Sequence, residues 1–218
     1  MLAVTHPSPG VVELAVRPDP VASDHQIVVT VRAAGLNRAD LLQRAGRYPA
    51  PPGWPVDIPG LEYAGEVRST GRGVTRWRIG DRVMGLVGGG AHAELVAVHE
   101  IEAMAVPAGM SFPDAAAIPE AFLTAWDAMV LRGRAAPGER VLVHAVGSGV
   151  GTAAAQLGRV LGFTIVGTSR SAEKLERCRA LGMEIGVIAI DDDWPSQVGA
   201  PVEVIVDTLG AGVFHQNI

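Results

Sequence analysis

Residues Glu139-Arg-Val-Leu-Val-His-Ala-Val-Gly-Ser-Gly-Val-Gly-Thr-Ala-Ala-Ala-Gln-Leu-Gly158 decide the fold. Val141–Val146 is short, apolar and rich in β-branched residues, which suits a parallel strand buried on both faces. Gly147, Gly149 and Gly151 predict a tight turn, and Thr152–Leu161 continues with small and apolar residues at helical spacing. Strand, glycine turn and helix together can hold a dinucleotide pyrophosphate. Glycines admit the phosphates close to the backbone, and the free N–H groups and helix dipole favour their charge. The turn alone is weak evidence, because glycine also serves tight turns sterically. A second strand, Thr164–Thr168, follows at βαβ spacing and strengthens the nucleotide reading. Ser148, Gly149, Val150 and Gly151 are the expected cradle.

Outward from this stretch, the second half predicts a helix over Val150–Leu161 and another over Ser171–Leu181, with further strands at Glu184–Ile190 and Val202–Thr208. Such alternation implies a parallel sheet covered on both faces. A doubly wound dinucleotide fold usually has six strands, and only four are found, so the sequence reads as cut short. A fragment, a shortened chain or a chain completed by a partner would each fit.

Residues 1–115 read differently. Short β-type runs at Val11–Val16, Ile27–Ala33, Tyr63–Val67, Arg82–Leu86 and Ala93–Val98 are separated by Gly, Pro, Asp and Asn, as in a small β module or barrel. Pro49, Pro51, Pro52, Pro55 and Pro59 crowd one loop, which predicts a stiff surface excursion. A helix is expected over Pro113–Leu131, capped by Ser111 or Asp114. The domains are therefore expected at 1–115 and 116–218.

Composition narrows the function classes. The 218 residues are 48% apolar and 19% charged, ordinary for a globular protein, and a net charge of −5 gives no reason to expect nucleic acid or an anionic membrane as partner. No run approaches membrane-spanning length and no signal segment opens the chain, so a cytoplasmic protein is the default expectation. One cysteine, Cys178, excludes a disulfide framework or a cysteine-based structural zinc site within the chain.

The second strand is followed by Ser169-Arg-Ser171, with Lys174 one turn into the next helix and no carboxylate before Glu173. An acidic residue here would bind the adenine ribose hydroxyls of NAD, whereas cations and hydroxyls suit the 2′-phosphate of NADP. Arg170 offers a forked donor set and Lys174 a point charge. NADPH is the expected cofactor. His144, among apolar residues, reads as a satisfied core histidine. His92, on a glycine loop, reads as exposed, and Asp191-Asp-Asp193 as a solvated turn.

Four segments together carry a resemblance. They are Ala34-Gly-Leu-Asn-Arg-Ala-Asp-Leu-Leu-Gln-Arg-Ala-Gly-Arg-Tyr48, Pro59-Gly-Leu-Glu-Tyr-Ala-Gly-Glu66, Ala116-Ala-Ile-Pro-Glu-Ala-Phe-Leu-Thr-Ala-Trp126 and the glycine turn. In order and spacing they resemble the zinc-free quinone oxidoreductase (zeta-crystallin-like) branch of the medium-chain dehydrogenase/reductase superfamily. The nearest likeness is to the tumour-suppressor-inducible NADPH:quinone oxidoreductase type. The resemblance implies a GroES-like N-terminal domain, a Rossmann domain, an active site in the cleft between them, and a homodimer when full length.

Zinc-dependent relatives carry a cysteine near Leu36, Gly-His-Glu at Gly60-Leu61-Glu62 and a four-cysteine lobe. This chain has none of these, so a thiolate-bound catalytic zinc is not expected. A quinone or activated alkene, which needs little electrophilic help, is the expected acceptor. The resemblance places Asn37 on the nicotinamide side and Thr124 near the carboxamide, and it adds Leu209 and Gly210 to the cofactor contacts. Tyr48 and Ser148 fall on a pair with a catalytic role, as donors to the quinone oxygen. Relatives often carry an aromatic by the adenine where Ala189 and Ile190 stand here. An enone or enoyl reductase, or an NADPH-binding fragment without turnover, are the competing readings.

Overall fold

The structure, a computed structural model, describes residues 1–217. Two compact units divide the chain, one from Met1 to Glu120 and the other from Ala121 onward.

The first unit is mostly β. Its strands are β1 (Leu2–Thr5), β2 (Glu13–Val16), β3 (Gln26–Ala34), β4 (Glu62–Thr70), β5 (Arg82–Leu86), β6 (Leu95–His99) and β7 (Ala103–Ala105). β1 and β2 form an antiparallel ribbon, and the others form a sheet in the order β6-β3-β4-β5-β7, antiparallel throughout. Ile27, Val29, Tyr63, Val67, Val83 and Val98 are almost wholly buried at its core. Each such aliphatic side chain contributes about 1.5–3 kcal/mol relative to exposure. A short helix, α1 (Arg38–Arg44), follows β3. The proline-crowded loop contains no helix or strand, and Pro51, Pro52 and Pro55 are exposed as expected.

The continuous helix expected over Pro113–Leu131 is instead three pieces. α2 (Phe112–Ala116) is capped by the Ser111 hydroxyl, which accepts from the Asp114 N–H at 3.2 Å. It stops before Pro119, whose ring bars a helical conformation from the preceding residue. α3 (Pro119–Trp126) restarts there. From Asp127 to Arg132 the bonding loosens to a π-helix, which brings Asp127 and Arg132 into an ion pair at 2.5 Å.

The second unit is a parallel sheet of β8 (Arg140–Val143), β9 (Thr164–Ser169), β10 (Met183–Ile188) and β11 (Val204–Val206) in the order β10-β9-β8-β11, with α4 (Gly149–Leu161) and α5 (Ala172–Leu181) between its first strands. The chain thus carries a GroES-like β unit followed by a Rossmann-type sheet of four strands. Ala153, Ala154 and Ala155 are buried, so α4 lies close to the sheet, and a side chain at Gly158 would overlap Ile165. β8 has β9 on one side and β11 on the other, so the strand order reverses at its carboxyl end. Ligands of open α/β sheets bind at that point.

Tyr63 is fully buried, yet its hydroxyl has no hydrogen-bond partner among the described residues. An unsatisfied buried hydroxyl costs about 1–3 kcal/mol. Tyr63→Phe is therefore expected to raise Tm by at least ~2 °C, measured by thermal denaturation. A lower Tm would show that the hydroxyl is in fact satisfied.

Candidate functional site

β8 ends at Val143, three residues earlier than expected, because the chain turns sharply. Ala145 takes a left-handed conformation (φ 50°), unusual for a residue with a Cβ, and its carbonyl accepts from the Ser148 N–H at 2.8 Å. Ser148 is the N-cap of α4, and its hydroxyl accepts from the Gly151 N–H at 3.1 Å. The N–H groups of Gly149 and Val150 have no partner among the described residues. They are the unpaired donors that open every helix, here directed from a helix of 13 residues.

The glycines of the turn do different work. A Cβ on Gly151 would overlap the carbonyl oxygen of Val146, and one on Gly147 would stand 2.9 Å from the Lys174 side chain. Those two are required by packing. Gly149 is exposed, and a Cβ there would meet nothing nearer than Ala121 at 3.9 Å. Glycine at a helical position costs about 1 kcal/mol relative to alanine. The fold gains nothing from it at 149, and the open space beside two unpaired N–H groups fits a bound phosphate. A dinucleotide therefore fits the residues present.

A groove of about 860 Å³ opens beside this turn. It gathers Ser148, Ser169, Arg170, Ser171, Lys174 and Leu209 from the expected set. Arg170 and Lys174 are exposed and form no ion pair among the described residues, while Glu173 is paired with Arg177 at 4.0 Å. The Ser171 hydroxyl caps α5 by accepting from the Lys174 N–H at 3.3 Å. Gly210 is not part of the groove wall. Its N–H and that of Leu209 both donate to Asp207 Oδ1 at 2.8 Å.

Several groove residues are not evident from the sequence. Thr168 is buried, and its hydroxyl meets His144 Nδ1 at 2.9 Å and the Ala145 N–H at 3.3 Å. His144 Nε2 meets Asn217 Oδ1 at 2.8 Å, so this histidine is a satisfied core residue, as expected. Trp194 lies edge-on to it, with ring centroids 5.1 Å apart, and supplies an aromatic to the groove wall beside Ala189. Asp191, Asp192 and Asp193 form an exposed turn, again as expected.

The remaining candidates lie elsewhere. Thr124 is exposed on α3, and Tyr48 is 42% exposed in the irregular stretch after α1. Asn37 precedes α1 and is half-buried. Its side-chain amide donates to Glu62 Oε1 at 2.8 Å, and its backbone N–H donates to Asp40 Oδ2 at 2.7 Å. His92 is not exposed as expected. It is half-buried against Gly60, with Nε2 2.9 Å from the Gly35 carbonyl, because the glycine loop folds back onto the sheet. Asp40, Glu62 and Glu120 form an acidic cluster. Burial, then repulsion from Glu62 and Asp40, pushes the Glu120 carboxyl above the ordinary range, and burial does the same to Glu62. Among the described residues no group of three or more His, Cys, Asp or Glu is disposed to hold a metal, and no helix is long and apolar enough to cross a membrane.

Comparison with known proteins agrees with this geometry. Residues 23–108 match the family described as alcohol dehydrogenase GroES-like domain, and residues 149–218 match zinc-binding dehydrogenase. The quinone oxidoreductase of Thermus thermophilus, solved also in complex with NADPH, superposes with a TM-score of 0.84 at 33% identity, covering 99% of this chain and 69% of that one. The chain belongs to the medium-chain dehydrogenase/reductase superfamily. NAD(P) binding is typical of this superfamily. CurK enoyl reductase superposes with a TM-score of 0.89 at 27% identity, covering 99% of this chain and 69% of that one. Polyketide synthase GfsB of Streptomyces halstedii is 40% identical over 190 residues, which are 87% of this chain and 3% of that protein. The human synaptic vesicle membrane protein VAT-1 homolog is 37% identical over 206 residues, 91% of this chain, and the chain spans 52% of its length. The branch is thus the one that holds quinone oxidoreductases, VAT-1 homologues and polyketide-synthase enoyl reductases.

Gly149→Ala should raise Tm slightly, as alanine favours the helix, yet weaken NAD(P)H binding about tenfold or more, since the methyl group enters the phosphate space. Gly151→Ala should lower Tm first. Equal effects of both on stability would contradict the division between a ligand glycine and a packing glycine. Glu120 binds its proton more tightly folded than unfolded, so its ionisation opposes folding once the pH rises above the ordinary carboxylate value of about 4.3. Glu120→Gln should therefore raise Tm by on the order of a degree near neutral pH. The gain should vanish in acid. A gain that grew on acidification would reverse this sign.

Proposed function

We propose that the protein is an NADPH-dependent quinone oxidoreductase that works without zinc, of the tumour-suppressor-inducible type. The observation that supports this reading best is the pair of unpaired cations, Arg170 and Lys174, beside a helix N-terminus with open space at its first glycine. A 2′-phosphate is the anion that such a pair suits, and the absence of a carboxylate at the end of β9 disfavours NAD. Bound NADPH would supply the hydride.

The chain's own residues then have these tasks. Gly149 and Val150 present backbone N–H groups to the pyrophosphate, and Ser148 caps α4 by accepting from the Gly151 N–H, which leaves its one hydroxyl proton for the acceptor. Arg170 and Lys174, with Ser169 and Ser171, receive the 2′-phosphate. Leu209 adds a contact along the cofactor, and Asn37 and Thr124 serve its nicotinamide half. Tyr48 and Ser148 donate hydrogen bonds to the acceptor oxygen as negative charge develops there. Full-length homodimers complete the proposal.

The second reading is an NADPH-dependent enone or enoyl reductase. The 40% identity with a polyketide synthase and the likeness to CurK enoyl reductase favour it. The two readings share the cofactor site and differ in the acceptor.

NADPH absorbance followed in parallel with an ortho-quinone, a para-quinone and an enone decides between them. The quinones are expected to be reduced fastest, and an enone preference would establish the second reading. Replacing both Arg170 and Lys174 by alanine should weaken NADPH about tenfold or more and leave NADH unchanged. NADH bound as tightly as NADPH by the unaltered protein would overturn the cofactor assignment.

A further inference from the structure

Asn37 has a side chain whose two ends are opposite in chemistry. The amide nitrogen only donates and the carbonyl oxygen only accepts. Which end meets a ligand depends on what holds the other.

Glu62 is 3% exposed, at the first position of β4. Its two carboxylate oxygens have separate tasks. Oε1 accepts from Asn37 Nδ2 at 2.8 Å, and Oε2 accepts from the Glu120 backbone N–H at 2.8 Å, at the start of α3. An ionised carboxylate has no proton to give, so it can pair only with the nitrogen end of Asn37. Gly35 admits this arrangement, because a side chain there would overlap Glu62 Oε1. Asp40 fixes the other half of the geometry. Its Oδ2 accepts from the Asn37 backbone N–H at 2.7 Å and its Oδ1 from the Gly60 N–H at 3.1 Å, and in return the Asn37 side-chain oxygen faces the Asp40 N–H in a capping box, with its second lone pair left over. Backbone and side chain of Asn37 are thus held by two different buried carboxylates, in a structure where neither carboxylate meets a cation among the described residues.

We infer that Glu62 is a positioning residue: it fixes the polarity of Asn37 so that the carbonyl oxygen Oδ1 is the end offered to the nicotinamide half of the cofactor, as acceptor for a ribose hydroxyl or the carboxamide N–H. The inference rests on the assignment of Asn37 to that half. It gives a role to the glutamate of Gly60-Leu61-Glu62, which the proposed chemistry otherwise leaves without one.

The chemistry specifies how the pair responds to substitution. In Glu62→Gln the new side-chain oxygen keeps the Glu120 N–H, which turns the new amide nitrogen toward Asn37. Two donors then face each other, and Asn37 relieves the conflict by turning its amide over and offering nitrogen to the ligand. Adding Asn37→Asp restores every bond, because the amide at position 62 donates to one carboxylate oxygen at position 37 and the other oxygen remains an acceptor.

The test measures NADPH affinity by fluorescence titration, kcat and KM for the quinone, and Tm without cofactor, in the intact protein. Five proteins are compared: unaltered, Glu62→Gln, Asn37→Ala, the Glu62→Gln/Asn37→Ala double variant, and the Glu62→Gln/Asn37→Asp double variant. Glu62→Gln is expected to weaken NADPH about tenfold. It should have no further effect once Asn37 is alanine, and Asn37→Asp should recover most of the loss. If the losses from Glu62→Gln and Asn37→Ala add, or if Asn37→Asp recovers Tm but not affinity, Glu62 is only structural and the inference is overturned. If Asn37→Ala leaves affinity and turnover unchanged, the assignment of Asn37 itself fails and takes the inference with it.

Discussion

The second unit depends on the way α4 begins. A helix leaves its first N–H groups without intrahelical partners, and they need an acceptor from somewhere. Here Ser148 satisfies one of them, at Gly151, and the N–H groups of Gly149 and Val150 remain. The turn that exposes them is built at some cost, with Ala145 held in a left-handed conformation and glycine placed where a helix prefers other residues. Both costs make sense if a phosphate completes the helix end. The sheet order brings this same point to the place where the strands reverse direction, so local chemistry and topology agree on one site.

The first unit shows a different constraint, the placement of buried carboxylates. In this chain Asp40 and Glu62 spend their oxygens on backbone and amide donors. Each oxygen therefore has a protein partner. A buried carboxylate without such donors would be very costly, whereas one accepting from two N–H groups is tolerable and stiffens whatever it holds. Together the two carboxylates fix the loop before α1.

What is legible in the sequence is governed by neighbours in the chain. The glycine turn, the parallel sheet and the cations after β9 all follow from local spacing. The expectation of one helix over Pro113–Leu131 fails because periodicity registers the apolar face but not the interruption at Pro119 or the π-helical shift beyond it. Short elements such as β7 and α1 carry too few residues to show a period. The half-burial of His92 escapes a sequence reading because a glycine loop gives no sign of folding back onto its own sheet. The contacts of Thr168 with His144, of Trp194 with His144 and of Glu62 with Asn37 join residues 24, 50 and 25 positions apart, and no spacing rule reaches across such separations.

The central claim is that the unpaired backbone donors at the start of α4 grip the cofactor phosphates. Backbone amide resonances followed by heteronuclear NMR during titration with NADPH test it most directly. The Gly149 and Val150 amide protons should move downfield by the largest amounts in the protein, with a smaller change at Gly151, which already donates to Ser148. Saturable NADPH binding with the Gly149 and Val150 resonances unmoved would contradict the account.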